Sequence, residues 1–333
     1  MINKKFSIVI FLVLTIFLIC GCSQQEEKYT GPVETIVIAE GQQPIAGPVY
    51  VAYENGYFKE QGLEVTLQPH PSGKACLNAV LENQADFGTV AETPIVDSAI
   101  SGQEICILST IHNSDENTMV VGRKDSGISQ INDLKEKNIG VSKGTNGEFF
   151  LSQFLLFNSI SEEEINVVDV KPGDMVNSLM NKEVDAVATW HPHISNLQER
   201  LGDNNVSFEN GGIYTETYNL VGLKKNIETN PDITKRVVIA LVKAEKFIQE
   251  QPEESQQIIA RSINMDLEQL KRLWHIYTFQ ISLEQTLVIT LESETKWSIK
   301  NGLNGATESL NYLDYIYFDA LEEVKPEAVT IIH

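Results

Sequence analysis

Short apolar segments alternate with helix-forming segments along most of this chain, and the alternation runs through one set and then begins again. That pattern leaves few folds open. A strand that follows a helix returns parallel to its predecessor, and a row of such units builds a doubly wound α/β sheet with helices on both faces. In the first set, strands are expected at 35–39, 63–67, 86–90 and 105–111. Gly47-Pro48 opens a helix between them, because proline suits a first helical turn. A second helix is expected over 74–83, and Glu92-Thr93-Pro94 opens a third that reaches about residue 100. The second set places strands at 138–141, 167–170 and 186–189. Its helices are expected at 148–157, from Pro172 to 181, and after Trp190-His191-Pro192 to about 201.

The two sets share more than their order. Residues 78–86 read NAVLENQAD and residues 177–185 read NSLMNKEVD. Each stretch follows a proline loop (Pro71, Pro172), precedes a strand, and is followed by a second proline (Pro94, Pro192). Two similar α/β lobes are implied. Asp86 and Asp185, each just before a strand, would tighten a helix-to-strand turn rather than serve as ligands. After Tyr218 comes a short strand at 220–223 and then helix: 232–250, 253–263, 267–276, 283–302 and 310–321. One crossing out of the first lobe and one return fit that order. Lobe 1 is therefore expected at 33–122 and again at 218–333, and lobe 2 at 123–217. Hinge segments fall near Arg123 and at 214–218.

The length of 333 residues suits two such lobes. Acidic residues outnumber basic ones 46 to 25, the net charge is −21, and no Lys/Arg-rich run occurs, which excludes a nucleic-acid partner. Four cysteines do not make a disulfide scaffold. Cys76 and Cys106 read most simply as two buried thiols, although an exported compartment would permit a bridge.

At the N-terminus, Lys4 and Lys5 precede an apolar run over 6–20, shorter than the roughly 20 residues a spanning helix needs. The run ends Cys20-Gly21-Cys22 and a polar stretch follows. This resembles the signal of a bacterial-type lipoprotein. The resemblance implies cleavage of 1–21, lipid on the Cys22 sulfur, and 22–32 as a tether. The alternative is an uncleaved anchor helix, and either one puts the domain outside the cytoplasmic membrane.

Residues 47–65 read GPVYVAYENGYFKEQGLEV. They resemble the opening of substrate-binding proteins of ABC importers in the nitrate, sulfonate, taurine and thiamine-precursor group. Pro71-x-Gly73, Asp86-Phe87-Gly88 and Glu92-Thr93-Pro94 are similar to that family's first lobe. Gly144-Thr145 and Trp190-x-Pro192 are similar to its second. The resemblance implies a two-lobed type II periplasmic-binding-protein fold, with two doubly wound sheets joined by a hinge and a helical C-terminal part. It further implies a non-enzymatic monomer without cofactor or metal, held to the outer face of the membrane by lipid on Cys22. Such a protein captures a small polar or anionic solute and delivers it to a permease and its ATPase. Other readings are a binder of a thiamine-precursor pyrimidine or riboflavin, a ligand-sensing lipoprotein, or an enzyme of the same fold.

Ligands in open α/β sheets bind beyond the carboxyl ends of the strands, where helix N-termini present unpaired N–H groups. The candidate site is therefore Gln43, Ser72, Gly73, Glu92, Thr93 and His112 on lobe 1, with Gly144, Thr145, Asn146, Trp190 and His191 on lobe 2. Each hydroxyl among them also suits a plain helix cap. No arginine lies in these loops, and Lys74, Lys143 and His112 are the nearby cations. Glu92 could cap its own helix or receive an ammonium or a ring N–H. Trp190 could be a flat wall or core. His191 stands where the family often has an acid. His191 and His193 could be a metal pair, but no third ligand lies near them in sequence.

Overall fold

The computed structural model describes residues 29–305 and 307–333; Cys22, the signal segment before it and most of the expected tether lie outside them. Strands form where apolar residues are dense, and helices start at the proline, glycine and serine punctuation. β1 (Glu34–Gly41), β2 (Leu63–His70) and β3 (Phe87–Ala91) run parallel. They are joined by α1 (Gly47–Glu54), with Pro48 in its first turn, and α2 (Gly73–Leu81), capped by Ser72. α3 (Glu92–Ile100) leads to β4 (Ile105–Ser114), which is buried along nearly its whole length, as a sheet strand covered on both faces should be.

The chain then enters a second sheet. β5 (Thr118–Arg123), β6 (Asn138–Val141), β7 (Asn166–Asp169), β8 (Ala186–Trp190) and β9 (Asn205–Glu209) form it. α4 (Asn146–Phe157), α5 (Met175–Met180) and α6 (His193–Leu201) are its helices. β10 (Glu216–Leu223) returns to the first sheet. The strand orders are β2-β1-β3-β10-β4 and β7-β6-β8-β5-β9.

Both sheets are mixed, where the alternation alone predicts parallel ones. β10 pairs antiparallel with β3 and β4, and β5 pairs antiparallel with β8 and β9. Each antiparallel strand is one of the two crossings between lobes. The first crossing lies at 115–117, upstream of the position expected near Arg123, because β5 already belongs to the second sheet.

The aspartates of the repeated stretch do the same work twice. Asp86 Oδ2 accepts from the Val37 N–H at 2.7 Å, and its own N–H donates to the Val37 carbonyl at 2.9 Å. Asp185 Oδ2 accepts from the Asn138 N–H at 3.0 Å, and its N–H donates to the Asn138 carbonyl at 2.8 Å. Each ties the turn before the third strand of its lobe to the first.

The helical tail completes lobe 1. α7 (Pro231–Glu250), α8 (Pro252–Ser262) and α9 (Leu267–Leu273) share the first core with Ile38, Val49 and Ile107. α10 (Gln285–Lys300) departs from this. It packs on α3, while Trp297 joins the second core and meets the Phe149 ring edge-on at 5.4 Å. The tail is thus not confined to lobe 1. The helix expected over 310–321 is not continuous: a 3₁₀ turn at Tyr312–Tyr315 is followed by α11 (Asp319–Val324). Between them the Tyr317 N–H donates to the Ile107 carbonyl of β4 at 2.9 Å, so sheet pairing overrides helical spacing. Cys76 and Cys106 are buried free thiols. No helix among the described residues is long and apolar enough to cross a membrane.

Candidate functional site

The carboxyl ends of the two sheets face each other across a narrow cleft that stands nearly closed, with a free volume of about 10 Å³, room for about one water. Lobe 1 lines it with Gln43 after β1, Ser72, Gly73 and Lys74 after β2, and Ala91 and Pro94 after β3. Lobe 2 contributes Thr145 and Asn146 after β6 and Trp190 at the end of β8. Glu216 and Tyr218 of β10 close the back.

Local structure explains why these groups meet. Ser72 is extended, and its Oγ accepts from the Ala75 N–H at 3.3 Å. Gly73 passes so close to β3 that a Cβ there would lie 3.1 Å from the Ala91 nitrogen and the Val90 Cα. Only glycine brings the start of α2 that near the sheet. Across the cleft, Thr145 occupies the N-cap position of α4 but does not cap it. Its hydroxyl donates to the Ser142 carbonyl at 2.7 Å and fixes the loop instead. Gly144 holds a left-handed φ of 68°, and a Cβ there would strike the Lys74 ammonium at 2.2 Å. That space lets Lys74 donate to the Lys143 carbonyl at 3.0 Å and link the lobes. The first N–H groups of α2 and α4 have no intrahelical acceptors and lie at the cleft.

Six of the sequence-predicted positions come together at the lining: Gln43, Ser72, Gly73, Thr145, Asn146 and Trp190. Gly144 sits beside them through Lys74. Glu92, Thr93, His112 and His191 do not line the cleft. Glu92 opens α3 but turns inward, wholly buried, and accepts from the Tyr214 hydroxyl and the Thr217 N–H. Thr93 donates to Glu294 of α10 at 3.1 Å. His112 is buried in β4 against the edge of Tyr277. His191 pairs its Nδ1 with the Ser195 hydroxyl at 2.6 Å. Burial keeps His112 and His191 neutral, holding both down at about 3. No cluster of metal-ligating side chains occurs among the described residues.

Sequence reasoning missed Glu216 and Tyr218. They lie in the stretch expected to be a hinge, and an acid within the run TETYNLVG was the available signal. Glu216 is 1% exposed. Its oxygens accept from Asn117 Nδ2 at 3.1 and 3.2 Å and from Asn146 Nδ2 at 2.8 Å. Behind it stand Glu92 and Glu294, both wholly buried. Burial pushes Glu216 up to about 7 against its asparagine donors. Burial, with the Glu216 charge beside it, pushes Glu92 up to about 8, and burial with the Glu92 charge beside it raises Glu294 well above the carboxylate range. The cleft thus has helix N-termini and one lysine on its walls and a carboxyl cluster at its back.

Comparison with known proteins places this geometry. The family described as NMT1/THI5 like matches residues 43–255. A Bacillus subtilis protein assigned by name to binding aliphatic sulfonates is 25% identical over 263 residues, covering 77% of this chain and 78% of its own. The alkanesulfonate-binding protein SsuA of Xanthomonas axonopodis pv. citri, solved with MOPS, superposes with a TM-score of 0.75 at 15% identity. That match covers 86% of this chain and 99% of SsuA. The periplasmic nitrate-binding protein NrtA of Synechocystis PCC 6803 gives a TM-score of 0.70 at 13% identity, covering 89% of each chain. At those identities the structural matches speak for the fold alone.

Proposed function

This chain belongs to the NMT1/THI5-like family, and from that premise we propose that it is the extracytoplasmic solute-binding component of an ABC importer. It captures a small polar or anionic solute between its lobes and hands it to a membrane permease driven by an ATPase. The observation that carries this reading is the lining of the cleft, where strand ends and helix N-termini from two lobes meet. The sulfonate- and nitrate-binding names among its relatives agree with it. The protein acts as a binder and not as an enzyme. The two aliphatic hydroxyls of the lining are spent on architecture, Ser72 on its helix and Thr145 on its loop, and neither is poised as a nucleophile. Lipid on Cys22 anchors the monomer to the outer face of the membrane, a reading supported by the sequence of the N-terminal segment.

A thermal-shift screen of sulfonates, taurine, nitrate, pyrimidines and riboflavin tests the reading, because a solute bound only to the folded state raises its stability by mass action. At least one should raise the melting temperature, and Trp190→Ala should weaken its binding tenfold or more. Silence across the screen, or a solute whose affinity ignores Trp190→Ala, would refute it.

A further inference from the structure

We propose that the solute carries a hydrogen-bond-donating nitrogen, an ammonium or a protonated ring or amidine N–H, that pairs with the Glu216 carboxylate. This rests on the cleft being a solute site and goes further, because it excludes simple anions as the preferred cargo.

Three observations carry it. Glu216 lines the cleft, is 1% exposed, and among the described residues has only the neutral amides of Asn117 and Asn146 as hydrogen-bond donors. A buried carboxylate without a cation is costly, and it forms no ion pair among the described residues. The groups around it cannot neutralise it. Glu92 on α3 and Glu294 on α10 share its sign, and Tyr214, Tyr218 and Tyr277 are phenols held neutral by burial. Lys74, the one lysine of the lining, gives its ammonium to the Lys143 carbonyl. An anion placed against Glu216 would meet like charge, whereas a cationic N–H supplies what the protein withholds.

The opposite wall has the opposite need. Trp190 is 3% exposed and lines the cleft, and its indole Nε1–H has no acceptor among the described residues. It offers a donor to an oxygen of the solute beside the first N–H groups of α2 and α4. The solute class is therefore dipolar: a donor nitrogen toward Glu216 and an acceptor oxygen or ring nitrogen toward Trp190.

Calorimetry on the full chain with matched probes decides it. Taurine is compared with propane-1-sulfonate, which replaces the ammonium by a methyl group, and 4-aminopyrimidine with pyrimidine. In at least one pair the nitrogen-bearing probe should bind tenfold or more tightly than its partner, and Glu216→Gln should bring that pair within about twofold. If Glu216→Gln fails to fold, wild-type titrations at pH 6.5 in two buffers of different ionisation enthalpy serve instead. Binding of taurine, whose ammonium is already charged at that pH, should then release protons, because pairing favours the ionised carboxylate. Proton uptake or no exchange would overturn the proposal. So would equal or tighter binding of propane-1-sulfonate and pyrimidine, while leaving the cleft reading intact. If none of the four probes binds and nitrate and riboflavin are also silent, both readings fall.

Discussion

Lobe 1 and lobe 2 are wired alike and loaded differently. In each, three parallel strands are followed by an antiparallel crossing strand and then a fifth strand, and an aspartate clasps the turn before the third strand. In lobe 1 all three strand-to-helix loops reach the cleft. In lobe 2 the loop after β7 does not, because α5 is a six-residue helix preceded by a 3₁₀ turn at Pro172–Asp174. Lobe 1 is also wrapped by the helical tail, whereas in lobe 2 β7 is largely open to solvent and β9 is half-buried. Equal wiring with unequal cover teaches a division of labour. Lobe 1 is the platform that holds most of the site, and lobe 2 brings the indole, one helix end and little else.

That comparison can be broken in three ways, in descending order of effect. Trp297 is the tail's foothold in the second core, so Trp297→Ala should cost about 3–5 kcal/mol of unfolding free energy, read by denaturant titration. A loss below about 1 kcal/mol would mean that the tail supports lobe 1 alone.

The second test removes the shared clasp from each lobe in turn. Asp86→Ala and Asp185→Ala each delete a charged acceptor from a backbone N–H, so each should cost about 1.5–3 kcal/mol. Similar losses would sharpen the equivalence of the lobes, and a loss in only one would break it.

The third concerns the acid cluster behind the platform. Glu92 ionises at about 8 in the folded protein against 4.5 in its ordinary state. The folded chain therefore holds an extra proton between those values, and stability falls as pH rises through that window. Below about 6.5 the buried neutral histidines oppose this, since the unfolded chain takes up protons that His112 and His191 refuse. Between pH 6.5 and 8 the histidine effect fades, while Glu216, ionising at about 7, adds to that of Glu92. Stability should fall across that interval, with Glu92 contributing about 1–2 kcal/mol, and Glu92→Gln should flatten the slope. An unchanged slope in the variant would remove Glu92 from the account.

Much of this arrangement is written locally. The alternation of strands and helices, the capping serine before α2 and the aspartates before β3 and β8 all depend on neighbours in sequence. The lining groups Ser72, Gly73, Thr145 and Trp190 were legible for the same reason, since strand ends and helix starts can be read along the chain. What stayed hidden depends on partners far away. Nothing within residues 216–223 says that this strand enters its sheet antiparallel between β3 and β4. The local pattern at 214–218 therefore reads as hinge, whereas Glu216 is the back of the cleft. Glu92 was misplaced for the converse reason. Its position at a helix start is local, but the direction of its carboxylate is set by Tyr214 and Thr217, more than a hundred residues on. The segment at 310–321 has helical spacing, yet its backbone is drawn out by Ile107 of β4.

The central claim, that both lobes hold one small solute between them, is tested most directly by a crystal structure of the chain with whichever solute the thermal screen identifies. The solute should lie between Trp190 and Glu216, within hydrogen-bond reach of the first N–H groups of α2 or α4. A solute found instead in the surface groove that Leu156, Lys296 and Trp297 line between α4 and α10, with nothing between the lobes, would contradict the account.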